Sequence, residues 1–409
     1  MKTDYNRRNF LKTTAAFGLG LSLAPSFAFG ENFRDSNKPV AIGFIGVGLR
    51  GRSHLDLLAS MKDVRIPAIC DVNPQANQKA NAILRKRGKQ EAAVYSEHEY
   101  AYQKLLKRKD LDGVIIATPW RWHSPMAVDA MEAGQYVGLE VPAATSLEGC
   151  WDLVHAHEQT GTHLMFMENV CYAREVLAVL RMLNDNLFGE PVHATCGYKH
   201  DLRGVKFDGV TFGEEASNEA KWRTQHSLKR NADLYPTHGV GPVAKWFNIN
   251  RGNRFNYLTS MATKSAGLHD YIVDHPQGGA NHPNANLQWK LGDIVTTQIK
   301  TANGETILIS HDTNLPRPYS WGFTLHGTEG IWNSRFEGRR IHIEGQSKAH
   351  QWESGNDYEA YMKKYEHPLW KKYRQAAQNA GHGGIDYFLD RTFVEFLKRN
   401  AAPPIDVYD

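Results

Sequence analysis

Residues 41–51 read AIGFIGVGLRG, an apolar run of strand type that stops at Gly46, Gly48 and Gly51, spaced G-x-G-x-x-G. Each glycine has its own task in such a turn. Gly46 permits the tight bend, Gly48 lets the backbone approach an anion, and Gly51 lets the next helix pack closely on the strand. The helix N-terminus then points free amide N–H groups at that anion. Three glycines alone are a weak signal, but these follow a strand, open a helix and precede an acid. Asp71 stands 20 positions after Gly51 and ends a second strand, VRIPAICD. A carboxylate there accepts hydrogen bonds from ribose hydroxyls and repels a 2′-phosphate, so the pattern predicts a dinucleotide site that takes NAD rather than NADP. The competing reading of Asp71 is a helix cap before Asn73 and Pro74.

GVIIATP, YVGLEVP and HLMFMENV supply further short apolar strands, separated by helical stretches around 124–133 and over SLEGCWDLVHAHEQT. This alternation predicts a Rossmann-type α/β domain, a doubly wound parallel sheet over about residues 39–170. Ligands sit beyond the carboxyl ends of such strands. That singles out the run from Thr118 through Trp120, Arg121, Trp122 and His123, then Glu140–Val141–Pro142, and Glu168–Asn169. After one more helix, roughly 173–187, strands dominate: EPVHATCGYK, FNYLTSMATKSAG, DIVTTQIKT, ETILISHDT, YSWGFTLHGT and RRIHIEG. Asn303–Gly304 between two β-rich runs signals a hairpin. A second, α+β domain with a mostly antiparallel open sheet is therefore expected over 171–383. Polar loops interrupt it at about 201–234 and 269–290. A final helix from Gly384 to about Arg399 has one apolar face, and residues 384–409 are expected to pack back on the body.

Arg7 and Arg8, an apolar segment from about Ala15 to Leu23, and Ser26-Phe27-Ala28 read as a twin-arginine export signal over 1–28. The apolar run is too short to span a bilayer, and no cysteine follows it, so the expectation is a periplasmic or secreted protein without an anchor. With 48 basic and 44 acidic residues the formal charge is +4, which favours neither nucleic acid nor membrane. Cys70, Cys150, Cys171 and Cys196 match no metal pattern and are expected as free buried thiols. His155 and His157 point to different helix faces, and His269, His275 and His282 fall in a polar loop without a carboxylate framework. No metal is expected. Nor does the sequence mark the two carboxylates of an ordinary glycosidase.

A nucleotide domain ending in Glu-x-Pro, followed by an open antiparallel sheet, resembles the glucose–fructose oxidoreductase family of sugar dehydrogenases. Typical members have Glu-Lys-Pro, whereas this chain has Glu140-Val141-Pro142. From about residue 39 to its end it is similar to a branch that lacks the lysine, the NAD-dependent α-N-acetylgalactosaminidases. The strings that carry this are GVGLRG, PWRWH, ENVCY, EAKWRTQH, LYPTHGVGP, INRGNR, GDIVTTQ, GHGGIDYFLD and PIDVYD. The resemblance implies that Leu49, Arg50, Asp71, Trp120, Arg121, Trp122, His123, Glu140, Val141 and Asn169 line an NAD site. It also implies that Tyr198, Arg223, Tyr235, Pro236, Thr237, His238 and Tyr319 line a sugar site. Arg121 stands at a position expected to vary.

What the resemblance implies chemically also reconciles export with a nicotinamide site. A net dehydrogenase must exchange its cofactor in every turnover. A glycosidase that oxidises its sugar, eliminates the aglycone, adds water and reduces the sugar again needs one tightly bound NAD and no supply. His238 and Tyr235 are the candidates for proton transfer. The alternative is an exported sugar oxidoreductase with tightly bound cofactor. The partner in either case is a sugar, and the open antiparallel sheet leaves room for a homo-oligomer built through it.

Overall fold

The computed structural model describes residues 38–209, 216, 218–378 and 380–409. The export signal read over 1–28 lies outside them. Six strands, β1 (Val40–Ile45), β2 (Val64–Cys70), β3 (Ala93–Tyr95), β4 (Gly113–Ile116), β5 (Tyr136–Leu139) and β6 (Leu164–Phe166), form a parallel sheet in the order β3-β2-β1-β4-β5-β6. β1, β4, β5 and β6 are buried along their whole length. Their unbroken apolar sequences follow, since helices cover both faces. The strand order reverses beside β1, and that switch point opens the crevice into which the glycine turn points.

Eight strands make the second sheet: β7 (Pro191–Lys199), β8 (Phe255–Ala262), β9 (Ile294–Thr301), β10 (Thr306–Asp312), β11 (Thr324–Gly327), β12 (Gly330–Asn333), β13 (Arg340–Ile343) and β14 (Glu353–Ser354). Their order is β14-β13-β12-β11-β7-β10-β9-β8. Neighbours run antiparallel except β7 and β10, which pair in parallel and bring Tyr198 beside His311. β9 and β10 form the hairpin that Asn303–Gly304 predicts.

Three sequence expectations need correction. The stretch 201–234 is not plain loop: it carries short helical turns at Arg203–Lys206, Asn218–Lys221 and Thr224–Lys229. Likewise Gly267–Asp274 is helical, so His269 sits on a helix. A small separate core of Phe207, Ile272 and Ala285 packs these stretches together, a long-range contact that local polarity does not reveal. Finally, all four cysteines are free, but Cys150 is exposed on the outer face of its helix.

The final helix, Ile385–Arg399, packs against the helix Leu49–Ser60 that follows the glycine turn and against the short turn Asn169–Tyr172. Its buried face is Ile385, Phe388, Leu389, Phe393 and Leu397. A Cβ at Gly138 in β5 would lie 2.9 Å from the Phe393 ring, so the missing side chain makes the seat for that helix. Among the described residues no helix is long and apolar enough to cross a membrane.

Candidate active site

At Gly46 the backbone is left-handed (φ +86°), and a Cβ would lie 2.6 Å from the Ala117 carbonyl oxygen. At Gly51 it would lie 2.1 Å from the Gly46 oxygen. Both glycines are thus demanded by the fold itself. Gly48 is different, because nothing lies within 4 Å of where its Cβ would be. Its bare face opens beside the N-terminus of the helix Leu49–Ser60, which has no side-chain cap and no acid in its first turn. The free amides and the open glycine fit a pyrophosphate. Leu49 beside them is exposed. Asp71 accepts from Val47 N (2.9 Å) and Asn73 N (2.9 Å), tying the turn to the end of β2. The helix cap is Asn73, which accepts from Gln75 N at 3.0 Å. Each Asp71 oxygen keeps an acceptor site for a ribose hydroxyl, and burial pushes its carboxyl up.

Behind the turn lies a buried mesh of charge. Arg50 donates from Nε to Glu140 Oε1 (2.5 Å) and from Nη1 and Nη2 to Asp386 (2.8 and 3.2 Å). His54, fully buried, bridges Glu140 (Nε2, 2.7 Å) and Asp390 (Nδ1, 2.6 Å). Burial and the Arg50 charge press the His54 imidazole down, but Asp390 and Glu140 outweigh them and push it up to about 9. Burial works against ionised Glu140 too, yet Arg50 and His54 hold its carboxyl well below the usual range. Glu140 is therefore a fixed anion, unsuited to proton transfer. Asn169 donates from Nδ2 to Asp386 Oδ1 (2.7 Å), while its own Oδ1 is buried with no partner. That orphan acceptor at the end of β6 fits the amide N–H of a nicotinamide.

The tryptophan segment behaves unevenly. Trp120 is buried and meets Trp222 (5.2 Å between ring centroids), His226 (4.8 Å) and Tyr235 (5.6 Å), forming the wall between the two ends of the site. Trp122 packs edge-on against Tyr100. The structure does not bring Arg121 into this wall: it is exposed beside Glu99 and over the Trp122 ring. His123 is buried, with ring nitrogens 2.7 Å from the Pro142 and Thr118 carbonyl oxygens, so it ties two strand ends together. Val141 is a core residue.

At the other end the helix Thr237–Trp246 begins with Pro236 at its cap. It places His238 Nδ1 2.8 Å and 3.0 Å from the two oxygens of Glu168. Glu168 is fully buried and also accepts from Val170 N. A carboxylate facing Nδ1 with both oxygens accepts from it, so Nδ1 carries a proton and Nε2 is the ring nitrogen turned away from Glu168. Around His238 stand Tyr235 (4.8 Å) and Tyr198 (5.2 Å), with Tyr319 6.2 Å from Tyr198. Arg223 lies over Trp120 (5.0 Å) and Tyr235 (5.1 Å) and pairs with Glu219. Thr237 Oγ1 is buried without a partner. Burial pushes the phenols of Tyr198 and Tyr235 up, so both keep their protons at neutral pH.

Sequence reading marked Glu168 only as a strand end; nothing local links it to a histidine 70 residues on. It also missed His200, whose Nδ1 is 3.0 Å from the Tyr198 hydroxyl, and Trp222 and His226. Asp386 and Asp390 belong to the string GHGGIDYFLD, but that string carries no sign that they reach the cofactor end.

Comparison with known proteins bears on both halves. Residues 40–168 match the oxidoreductase family with an NAD-binding Rossmann fold, and residues 172–409 match the glycosyl hydrolase 109 C-terminal domain. An α-N-acetylgalactosaminidase of Tannerella forsythia is 47% identical over 99% of this chain and 91% of its own. A glycosyl hydrolase family 109 protein of Stenotrophomonas maltophilia is 46% identical over 98% and 89%. Among solved structures, levoglucosan dehydrogenase in complex with NADH and levoglucosan superposes with a TM-score of 0.66 at 18% identity, covering 90% of this chain and 92% of that one. The myo-inositol dehydrogenase of Lactobacillus casei gives 0.56 at 17%, covering 89% and 88%. At such identity the structural likeness speaks to the fold.

Proposed function

The chain belongs to glycosyl hydrolase family 109 and is a glycoside hydrolase with an NAD-binding domain, and from that premise we propose that it releases terminal α-N-acetylgalactosamine by a cycle with no net redox change. The names of two relatives, the α-N-acetylgalactosaminidases of Tannerella forsythia and Shewanella oneidensis, support this substrate. Bound NAD supplies a reversible hydride acceptor for carbon 3 of the sugar. A ketone at carbon 3 acidifies the proton on carbon 2. Loss of that proton expels the glycosidic oxygen from carbon 1, which leaves as the protonated aglycone; water then adds at carbon 1, carbon 2 regains a proton, and return of the hydride and a proton to the carbon 3 ketone restores its hydroxyl.

The Glu168–His238 pair is the observation that carries this reading. Glu168 follows β6 of the NAD-binding sheet and His238 lies in the first turn of the helix Thr237–Trp246, so the pair joins the two halves of the chain and supports a proton acceptor next to the cofactor. His238 Nε2 takes the proton from carbon 2, exchanges it with solvent and delivers a proton back to carbon 2. Tyr235 and Tyr198, kept protonated by burial, donate hydrogen bonds to sugar oxygens. The Arg223 charge, backed by Glu219, holds a sugar or acetamido oxygen. Arg50, Asn169 and Asp71 hold the cofactor.

The twin-arginine route and a periplasmic or secreted location complete the proposal, because a redox-neutral cycle runs on one retained NAD. A homo-oligomer through the second sheet is supported by its edge strand β8, where Tyr257, Leu258 and Met261 are all exposed. The direct test is purified protein with 4-nitrophenyl α-N-acetylgalactosaminide and no added cofactor. Release of nitrophenol is expected; a strict need for added NAD in every turnover, with an oxidised sugar as product, would favour an oxidoreductase.

A further inference from the structure

Asp386 lies on the final helix, 336 residues from Arg50, and is completely buried. Its two oxygens accept from Arg50 Nη1 (2.8 Å), Arg50 Nη2 (3.2 Å), Asn169 Nδ2 (2.7 Å) and His382 Nδ1 (2.7 Å). All its acceptor sites are taken, so it acts on a ligand only through these neighbours. Two of them, Arg50 and Asn169, are residues of the proposed cofactor site. The effect on Asn169 is specific. An amide can face a neighbour with either end, but a carboxylate that already holds a guanidinium accepts only the NH2 end. Asp386 therefore fixes Asn169 with Oδ1 turned away from it, and that Oδ1 is the buried acceptor with no partner. The same carboxylate, together with Glu140, holds the Arg50 guanidinium through Nε, Nη1 and Nη2, which uses three of its five N–H groups.

We infer that Asp386 is a positioning residue for NAD: it sets the polarity of the cofactor end, with Asn169 as acceptor and Arg50 as donor, and makes the final helix part of the cofactor's retention. The inference rests on the NAD-binding domain and not on which bond is cleaved. Failure of the glycosidase reading would leave it standing, because the test needs no sugar.

A second acid separates this role from helix anchoring. Asp63, at the start of β2, holds the same final helix through Arg391 (2.8 Å) and Lys398 (2.6 Å), away from the glycine turn. The experiment compares wild type, Asp386→Asn and Asp63→Asn, each as the full chain. It measures NAD content after dialysis, Kd for NAD by tryptophan fluorescence on stripped protein, and Tm of the stripped form. Asp386→Asn should lose NAD on dialysis and raise Kd at least tenfold. Asp63→Asn should lower Tm while leaving Kd within twofold. Asn169→Asp, which sets two carboxylates face to face, should raise Kd as well. The double variant Asp386→Asn with Asn169→Asp restores one acid and one amide, and should recover most of the affinity lost by Asn169→Asp. If Asp386→Asn does not fold, this last comparison still decides. Unchanged Kd in Asp386→Asn, an equal rise in Asp63→Asn, or no recovery in the double variant would each overturn the inference.

Discussion

Arg50, Glu140, His54, Asp386 and Asp390 meet as ion pairs in a buried mesh, whereas Tyr198 and Tyr235 stand as rings around His238, with Trp120 behind Tyr235 and the carboxylate of Glu168 behind the imidazole. The first region has its protons frozen by mutual charge. Such a mesh specifies geometry more than it stabilises, since desolvation offsets much of the Coulombic gain. It suits a cofactor that is held and not exchanged. The second region sets one imidazole, with its Nε2 turned away from Glu168, among phenols that burial keeps protonated as hydrogen-bond donors. On the proposed cycle, holding and reacting fall to different chemistry within one site.

His238→Ala breaks the reacting end alone. Turnover should fall by roughly 10²–10⁴-fold, the usual worth of a positioned acid or base, with NAD still bound at about one per chain. Loss of NAD in this variant would erase the distinction between the two ends. Glu168→Gln sharpens the point, because it keeps the shape and removes the charge behind the ring. Losing a charge-assisted hydrogen bond costs ~1.5–3 kcal/mol, so kcat should drop on the order of ten- to a hundredfold while NAD stays. A KM effect alone would mean that Glu168 only shapes the pocket. Arg223→Ala should act mainly on binding, with KM rising about tenfold by the same magnitude; an unchanged KM would remove Arg223 from the sugar contacts.

The mesh has a pH signature of its own. His54 is raised from 6.5 to about 9, so its contribution is complete below about 6.5 and is lost as pH rises through about 9. Glu140 and Asp386 are depressed from 4.5 and 3.8, so theirs is present above those values and lost as pH falls below them. Tm should therefore be flat between roughly pH 5 and 7 and fall on both sides. His54→Gln should remove the alkaline fall; if the fall persists unchanged, His54 is not its source.

The legible parts of this chain were those written locally. A glycine turn between a strand and a helix, an acid at the next strand's end, and apolar runs alternating with helical ones determine the first sheet within a few residues. The ring cluster was reached only through resemblance, because Tyr198, Tyr235 and Tyr319 come from separate elements. Arg121 and His123 share a pentapeptide with Trp120, yet one is exposed and the other ties carbonyls together, since a short helical turn points successive side chains in different directions. Pairings such as Arg50 with Asp386 or His238 with Glu168 join distant positions that only the packed sheets bring together. Glu140, which the resemblance places in the NAD site, owes its fixed charge to its distant partners Arg50 and His54 and not to its place in the sequence.

The central claim is that carbon 2 of the sugar is deprotonated beside a retained cofactor. Hydrolysis of the 4-nitrophenyl glycoside in deuterated water, with the product read by mass spectrometry and proton NMR, addresses it most directly. The account predicts N-acetylgalactosamine carrying deuterium at carbon 2 and the original hydrogen at carbon 3. Product without deuterium at carbon 2 would contradict elimination even if NAD is bound and the glycoside is cleaved.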